Sequence, residues 1–112
     1  MKKIAILGCM RANEVCTGAA CLDAWDRKSR VFAVYDGQEV RLAAFLRCNG
    51  CTADPAQDAG MQEKLERLVR IGVSAVHLGV CTKSRDGRRC PVIQTIEQML
   101  AENGIPCVDG TH

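Results

Sequence analysis

The apolar positions of this chain follow two rhythms, continuous short runs and recurrences three or four residues apart, and their order predicts its elements. Ile4-Ala5-Ile6-Leu7 is an unbroken apolar run after Lys2-Lys3, as expected of a strand buried on both faces. Arg11 to Thr17 is polar and irregular. Thr17 then serves as a helix N-cap, with Ala20, Ala24 and Trp25 at helical spacing up to about Lys28. Val31-Phe32-Ala33-Val34-Tyr35 reads as a strand, Asp36-Gly37 as a hairpin turn, and Val40 to Leu46 as the antiparallel return. Asp54-Pro55 reads as the cap and first residue of a second helix, whose apolar face is Met61, Leu65, Leu68 and Val69 and whose end is Gly72. Ser74 to Leu78 is the next strand. Pro91 opens a third helix with Val92, Ile93, Ile96, Met99 and Leu100 on one face, and Asn103-Gly104 closes it. Ile105-Pro106-Cys107-Val108 is a short last strand, placed at an edge by its proline.

The predicted order is β-α-β-β-α-β-α-β. Right-handed crossovers and short loops fold this into a three-layer α/β/α sandwich. Its sheet is mostly parallel, with the first strand central and residues 31–35 as an antiparallel edge strand. No repeat, linker or low-complexity stretch divides the chain, so residues 1–112 are read as one domain.

Composition narrows the function classes. Hydrophobic residues are 47% and charged residues 25% of the 112, an ordinary globular balance. A formal charge of +2 and 4% aromatic residues give little with which to bind or stack nucleic acid. No apolar run approaches a membrane span. The Ile4–Leu7 run is far shorter than the roughly 7–15 residues of a secretory signal, so a cytoplasmic location is expected. Eight cysteines in that compartment point to metal or redox chemistry rather than to disulfides.

Four of the eight cysteines fall just beyond a predicted strand. Cys9 closes the first, Cys48 and Cys51 follow the strand ending near Arg47, and Cys81 follows Val76-His77-Leu78-Gly79-Val80. Parallel strands end on one edge of the sheet, where open α/β sheets bind ligands. Cys48-Asn49-Gly50-Cys51 is the most specific local signal. A turn of this spacing can point both sulfurs at one metal, or it can serve dithiol–disulfide exchange. Cys16 and Cys21 would lie about 140° apart on a continuous helix. With the helix beginning near Gly18, Cys21 falls in its first turn, Cys16 lies just outside, and both can face Cys9. Cys90 precedes Pro91 at a helix start. The partial positive charge there, with Arg88 and Arg89, favours a thiolate ligand or nucleophile.

Plainer readings hold elsewhere. Cys107 is assigned to the core, since free cysteine is among the most buried residue types. His77 sits between Val76 and Leu78 in a central strand and reads as a hydrogen-bonded structural histidine. His112 lies beyond the last strand on the cysteine edge and is a candidate ligand. Val15 and Gly87 occupy the places where a Cys-x5-Arg phosphate loop needs arginine after Cys9 or Cys81. No Gly-x-Gly-x-x-Gly follows the first strand, and the cysteine spacing of bacterial ferredoxins is absent.

The pattern resembles the CGGC domain family, small bacterial and archaeal proteins with a central Cys-Gly-Gly-Cys. The resemblance rests on Gly8-Cys9, Cys16-Thr17-Gly18-x-x-Cys21, Cys48-Asn49-Gly50-Cys51, His77-Leu78-Gly79-x-Cys81, Cys90-Pro91 and Gly110-Thr111-His112, spanning essentially the whole chain. It implies metal binding, zinc being the usual suggestion, through cysteines and histidines, with Cys9, Cys16, Cys21, Cys48, Cys51, Cys81, Cys90, His77 and His112 as family positions. Asn49 stands where the family motif has glycine.

The leading expectation is therefore a small metal-binding protein, zinc before iron–sulfur, with Cys9, Cys16, Cys21, Cys48, Cys51, Cys81, Cys90 and His112 as candidate ligands at the C-terminal edge of the sheet. The alternative is an iron–sulfur electron-transfer or dithiol redox protein using Cys48 and Cys51.

Overall fold

A computed structural model describes residues 1–112. In chain order its elements are β1 (Lys2–Gly8), α1 (Ala19–Arg27), β2 (Val40–Arg47), α2 (Ala59–Ile71), β3 (Ala75–Leu78), α3 (Pro91–Glu102) and β4 (Cys107–Asp109), with short 3-10 segments between them. The four strands lie in the order β2-β1-β3-β4, and every pairing is parallel. The first strand is thus interior, with β2 on one side and β3 on the other. No helix is long and apolar enough to cross a membrane.

Strand β1 is buried from Ile4 to Gly8, and its alternate residues feed two apolar clusters. Ala5 and Leu7 join Met61, Leu65 and Leu68 of α2 and Ile93, Ile96 and Leu100 of α3. Ile4 and Ile6 join Ala24 and Trp25 of α1 together with Phe32 and Tyr35. The register between β1 and β2 slips by one residue at Ile4/Ala5, where Ala43 is the extra residue.

Residues 31–35 are not an antiparallel edge strand. Arg30–Tyr35 is a 3-10 segment, and Val40–Arg47 pairs parallel with β1 instead of returning along a hairpin. Burial explains the difference. Phe32 and Tyr35, three apart, are the buried residues, whereas Ala33 and Val34 face solvent. A 3-10 turn superposes residues three apart. A strand would have sent Phe32 and Tyr35 to opposite faces. The two rings instead pack with Trp25, Phe32 edge-on to the indole at 5.2 Å between centroids.

The second helix also starts later than its Asp-Pro signal. Asp54 accepts from Ala56 N–H in a turn, and the helix cap is Asp58, whose Oδ1 accepts from Gly60 and Met61 N–H at 2.9 and 3.2 Å. Val69, expected on the buried face, is 42% exposed. The last strand runs one residue further than expected, to Asp109, and Pro106 stands just before it. Its carbonyl still accepts from Val76 N–H.

Candidate functional site

The C-terminal ends of the strands carry the thiols. Gly8 ends β1, and a side chain there would meet the Cys81 sulfur at 3.6 Å; one at Gly79 would meet it at 3.4 Å. These two glycines therefore form the seat of Cys81. The Cys9 N–H donates to Cys81 Sγ at 3.1 Å, tying the ends of β1 and β3 together. Cys81's pKa is pushed up, first by burial of the sulfur, against the Cys9 N–H, which lowers it. Negative charge on Cys9, Cys21 and Cys16 raises it further, so these four thiols are electrostatic neighbours.

On one side of this pair lies a cavity of about 510 Å³ lined by Cys9, Cys51, Cys81 and Cys90. Its rim carries Arg11, Lys83, Arg88 and Arg89 together with Asp86, which pairs with Arg88 at 3.4 Å. Lys83 and Arg89 both pair with Asp109 at the end of β4, and Arg89 also donates to Thr82. Those bonds hold the Asp109 carboxyl below its usual pKa of 3.8, the Lys83 bond first and Arg89 next. Cys90 is the N-cap residue of α3, followed by Pro91, and its side chain makes no capping bond.

The Cys48–Cys51 turn does not present its two sulfurs alike. Cys48 is 4% exposed and belongs to the α2–α3 core, with Sγ accepting from Met10 N–H at 3.4 Å. Cys51 is exposed and lines the cavity. Gly50 takes a φ of +110°, which requires glycine. Asn49 anchors the turn to α2: its Nδ2 donates to Asp58 at 3.1 Å and its Oδ1 accepts from Lys64 Nζ at 2.7 Å. A glycine here could make neither bond.

Cys16 and Cys21 do not line the cavity. Gly18, with φ +78°, is the N-cap of α1, so Cys21 falls in the first turn and Cys16 outside it. Cys16 Sγ accepts from Gly18 N–H at 3.3 Å, while Cys21 Sγ lies 3.2 Å from Thr111 Oγ1. Cys107 is half-buried against the core, and burial first, with Glu97 adding, pushes its thiol up to about 11. His112 is exposed at the chain end.

Sequence reasoning missed how the tail is held. His77 is fully buried; its Nδ1 donates to the Gly110 carbonyl at 3.0 Å and its Nε2 accepts from Tyr35 Oη at 2.8 Å. Gly110 N–H donates to the Leu78 carbonyl at 2.8 Å. Thr111, wholly buried, is brought to Cys21 by these bonds. The visible signal was a histidine in an otherwise apolar strand, but nothing local pointed to Tyr35 as its partner.

Soft thiolate donors suit zinc, copper(I) or iron–sulfur chemistry. Backbone N–H groups directed at Cys81, Cys48 and Cys16 stabilise negative charge on sulfur. No three of the Cys, His, Asp and Glu side chains yet stand close enough together to hold a metal ion. The fit is thus one of donor chemistry and neighbourhood, and binding would require the thiols to turn from their present hydrogen bonds toward a common centre. Among known proteins, the family model for the CGGC domain matches residues 3–112. No curated protein and no solved structure matches the chain.

Proposed function

The chain belongs to the CGGC domain family, a cysteine-rich family to which metal binding is ascribed, and from that premise we propose that it binds zinc at the C-terminal edge of its sheet. One observation carries the reading: Cys9, Cys51, Cys81 and Cys90 come from four separate segments and line one cavity. Four thiolates complete a tetrahedral zinc site, and a closed site of that kind supports holding or transferring the ion rather than activating water. Zinc with four thiolates carries a net charge of about −2, and Arg11, with the partly paired Lys83, Arg88 and Arg89, lies beside it. Thiols are usable as ligands where they stay reduced, so the reading carries a cytoplasmic location with it.

A second reading, dithiol redox or iron–sulfur electron transfer through Cys48 and Cys51, draws on the split between them. Cys51 is open to attack and Cys48 is shielded, an arrangement suited to thiol exchange. Anaerobic purification, elemental analysis and a visible spectrum of the same sample decide the matter. Stoichiometric zinc without colour supports the first reading. Iron with acid-labile sulfide and a broad visible band moves the function to electron transfer. Absence of metal, even after zinc is added, refutes the metal site and leaves dithiol exchange.

A further inference from the structure

Cys51 opens on a cavity whose charged rim is positive on balance, and we propose that it exchanges with small disulfides that carry carboxylates, forming a mixed disulfide there. The inference rests on the thiol-exchange reading above and names the class of disulfide that the site takes.

Two segments bring cations to this thiol. The Met10 N–H donates to Cys48 Sγ at 3.4 Å, and Met10 Sδ would lie 3.8 Å from a side chain built at Gly50. These contacts set the next residue, Arg11, beside the Cys48–Cys51 turn, and Arg11 pairs with no carboxylate. Across the cavity the loop from Thr82 to Cys90 folds back on itself. Cys90 N–H donates to the Thr82 carbonyl and Ser84 N–H to the Arg88 carbonyl, each at 2.9 Å. That fold presents Lys83, Arg88 and Arg89 to the same cavity of about 510 Å³. Asp86 pairs with Arg88, and Asp109 pairs with both Lys83 and Arg89. Four cations against two carboxylates leave an excess of two positive charges, which draws anions in and holds cations off.

Access selects Cys51 among the thiols. Cys16, Cys51 and Cys81 are the exposed ones. The Cys81 sulfur rests on Gly8 and Gly79 and accepts the Cys9 N–H, while Cys16 lies outside the cavity and accepts from Gly18 N–H. Hydrogen bonds to sulfur reach Cys16, Cys21, Cys48 and Cys81, and none reaches Cys51. In the step itself the Cys51 thiolate attacks one sulfur of the disulfide. A bond forms between Cys51 Sγ and that sulfur as the original S–S bond breaks. Cys51 is oxidised to the mixed disulfide, and the departing half is reduced to a thiolate that takes its proton from solvent.

The test treats the full reduced chain, freed of metal with EDTA, with dithiodipropionate, a dianion, or with cystamine, a dication of similar size. Peptide mass mapping follows the mixed disulfide at each cysteine. Cys16, exposed but outside the cavity, is the internal reference, so differences between the leaving groups cancel. The ratio of Cys51 to Cys16 modification rates should be about tenfold higher for the dianion at low salt. That preference should vanish near 1 M salt, where the screening length falls to about 3 Å. Arg11→Gln/Arg88→Gln should cut the low-salt preference several-fold, with far-UV circular dichroism confirming the fold. Equal ratios for the two reagents, or a preference that survives high salt, would overturn the charge selection and leave thiol exchange standing. Modification first at Cys9, Cys81 or Cys90 would overturn the choice of Cys51. No mixed disulfide with either reagent would overturn the proposal and the exchange reading together.

Discussion

Acidification should loosen this protein through His77 before it reaches any carboxylate. The imidazole is fully buried, 4.6 Å from the Phe32 ring and 5.5 Å from that of Tyr35 between centroids. Its Nδ1 faces a carbonyl and must carry the hydrogen, so Nε2 is the acceptor of the Tyr35 hydroxyl. A second proton on Nε2 would force the Tyr35 hydroxyl to turn its hydrogen away and accept instead, and would place a charged ring in a buried site. Burial, the larger effect, lowers the His77 pKa from 6.5, and the Gly110 carbonyl opposes it. The folded chain therefore takes up the proton at lower pH than the unfolded chain. Above pH 6.5 His77 is neutral in both states and its stabilising contribution is complete. As pH falls from 6.5 toward the lowered folded value, stability declines by about 1.4 kcal/mol per pH unit, one proton's share. With a urea m-value of about 2 kcal/mol/M, the unfolding midpoint should drop by roughly 0.7 M per unit. Urea unfolding of the metal-free protein between pH 7.5 and 5, beside His77→Gln as reference, measures this. The native curve should fall below pH 6.5, while the variant starts lower and stays flatter. Equal slopes in that window would refute the buried neutral imidazole.

Four further outcomes follow from the same geometry. Tyr35→Phe leaves Nε2 of His77 without its donor and should cost about 1–3 kcal/mol in urea unfolding; a neutral substitution would mean that water reaches the ring. Ile96→Ala, at a fully buried position of α3, should cost about 2–5 kcal/mol by the same assay. Alkylation followed by peptide mass mapping should modify exposed Cys16 and Cys51 well before Cys48 and Cys107; Cys107, pushed up to about 11, should stay slow even near pH 9. Asp58, Asp86 and Asp109 are all held below 3.8 by hydrogen bonds, so their contributions are present above that pH and are lost as acid titrates them through the lower folded values. Asp109→Asn should therefore flatten the acid unfolding curve below pH 4.

Much of the fold was legible because it is written in short-range periodicity. The unbroken Ile4–Leu7 run marked the interior strand, and Leu65, Leu68, Ile93, Ile96 and Leu100 recur at helical spacing and are buried as expected. The placement of Cys9, Cys51 and Cys81 beyond strand ends was enough to bring them to one edge once the strands ran parallel. The misreadings share one cause. Val31–Tyr35 has strand-forming residues and a good turn after it, yet the aromatic contacts that fold it into a 3-10 turn come from Trp25 and the β1 face. Asp54-Pro55 is a sound helix start, but Asp58 captures the first turn because its carboxylate reaches both Gly60 and Met61 N–H and is itself held by Asn49.

What the amino-acid order determined alone was which segments are apolar, at what period, and that half of the cysteines follow strands. Those are local properties, readable wherever backbone geometry fixes which side chains share a face. Tertiary structure decided the rest: β2 parallel to β1, Cys48 inside and Cys51 outside, Cys9 bonded to Cys81, and His77 pinning the tail that meets Cys21. Each depends on residues brought together from distant segments. Burial and hydrogen-bond satisfaction are settled only when such segments meet, and a sequence window cannot contain them.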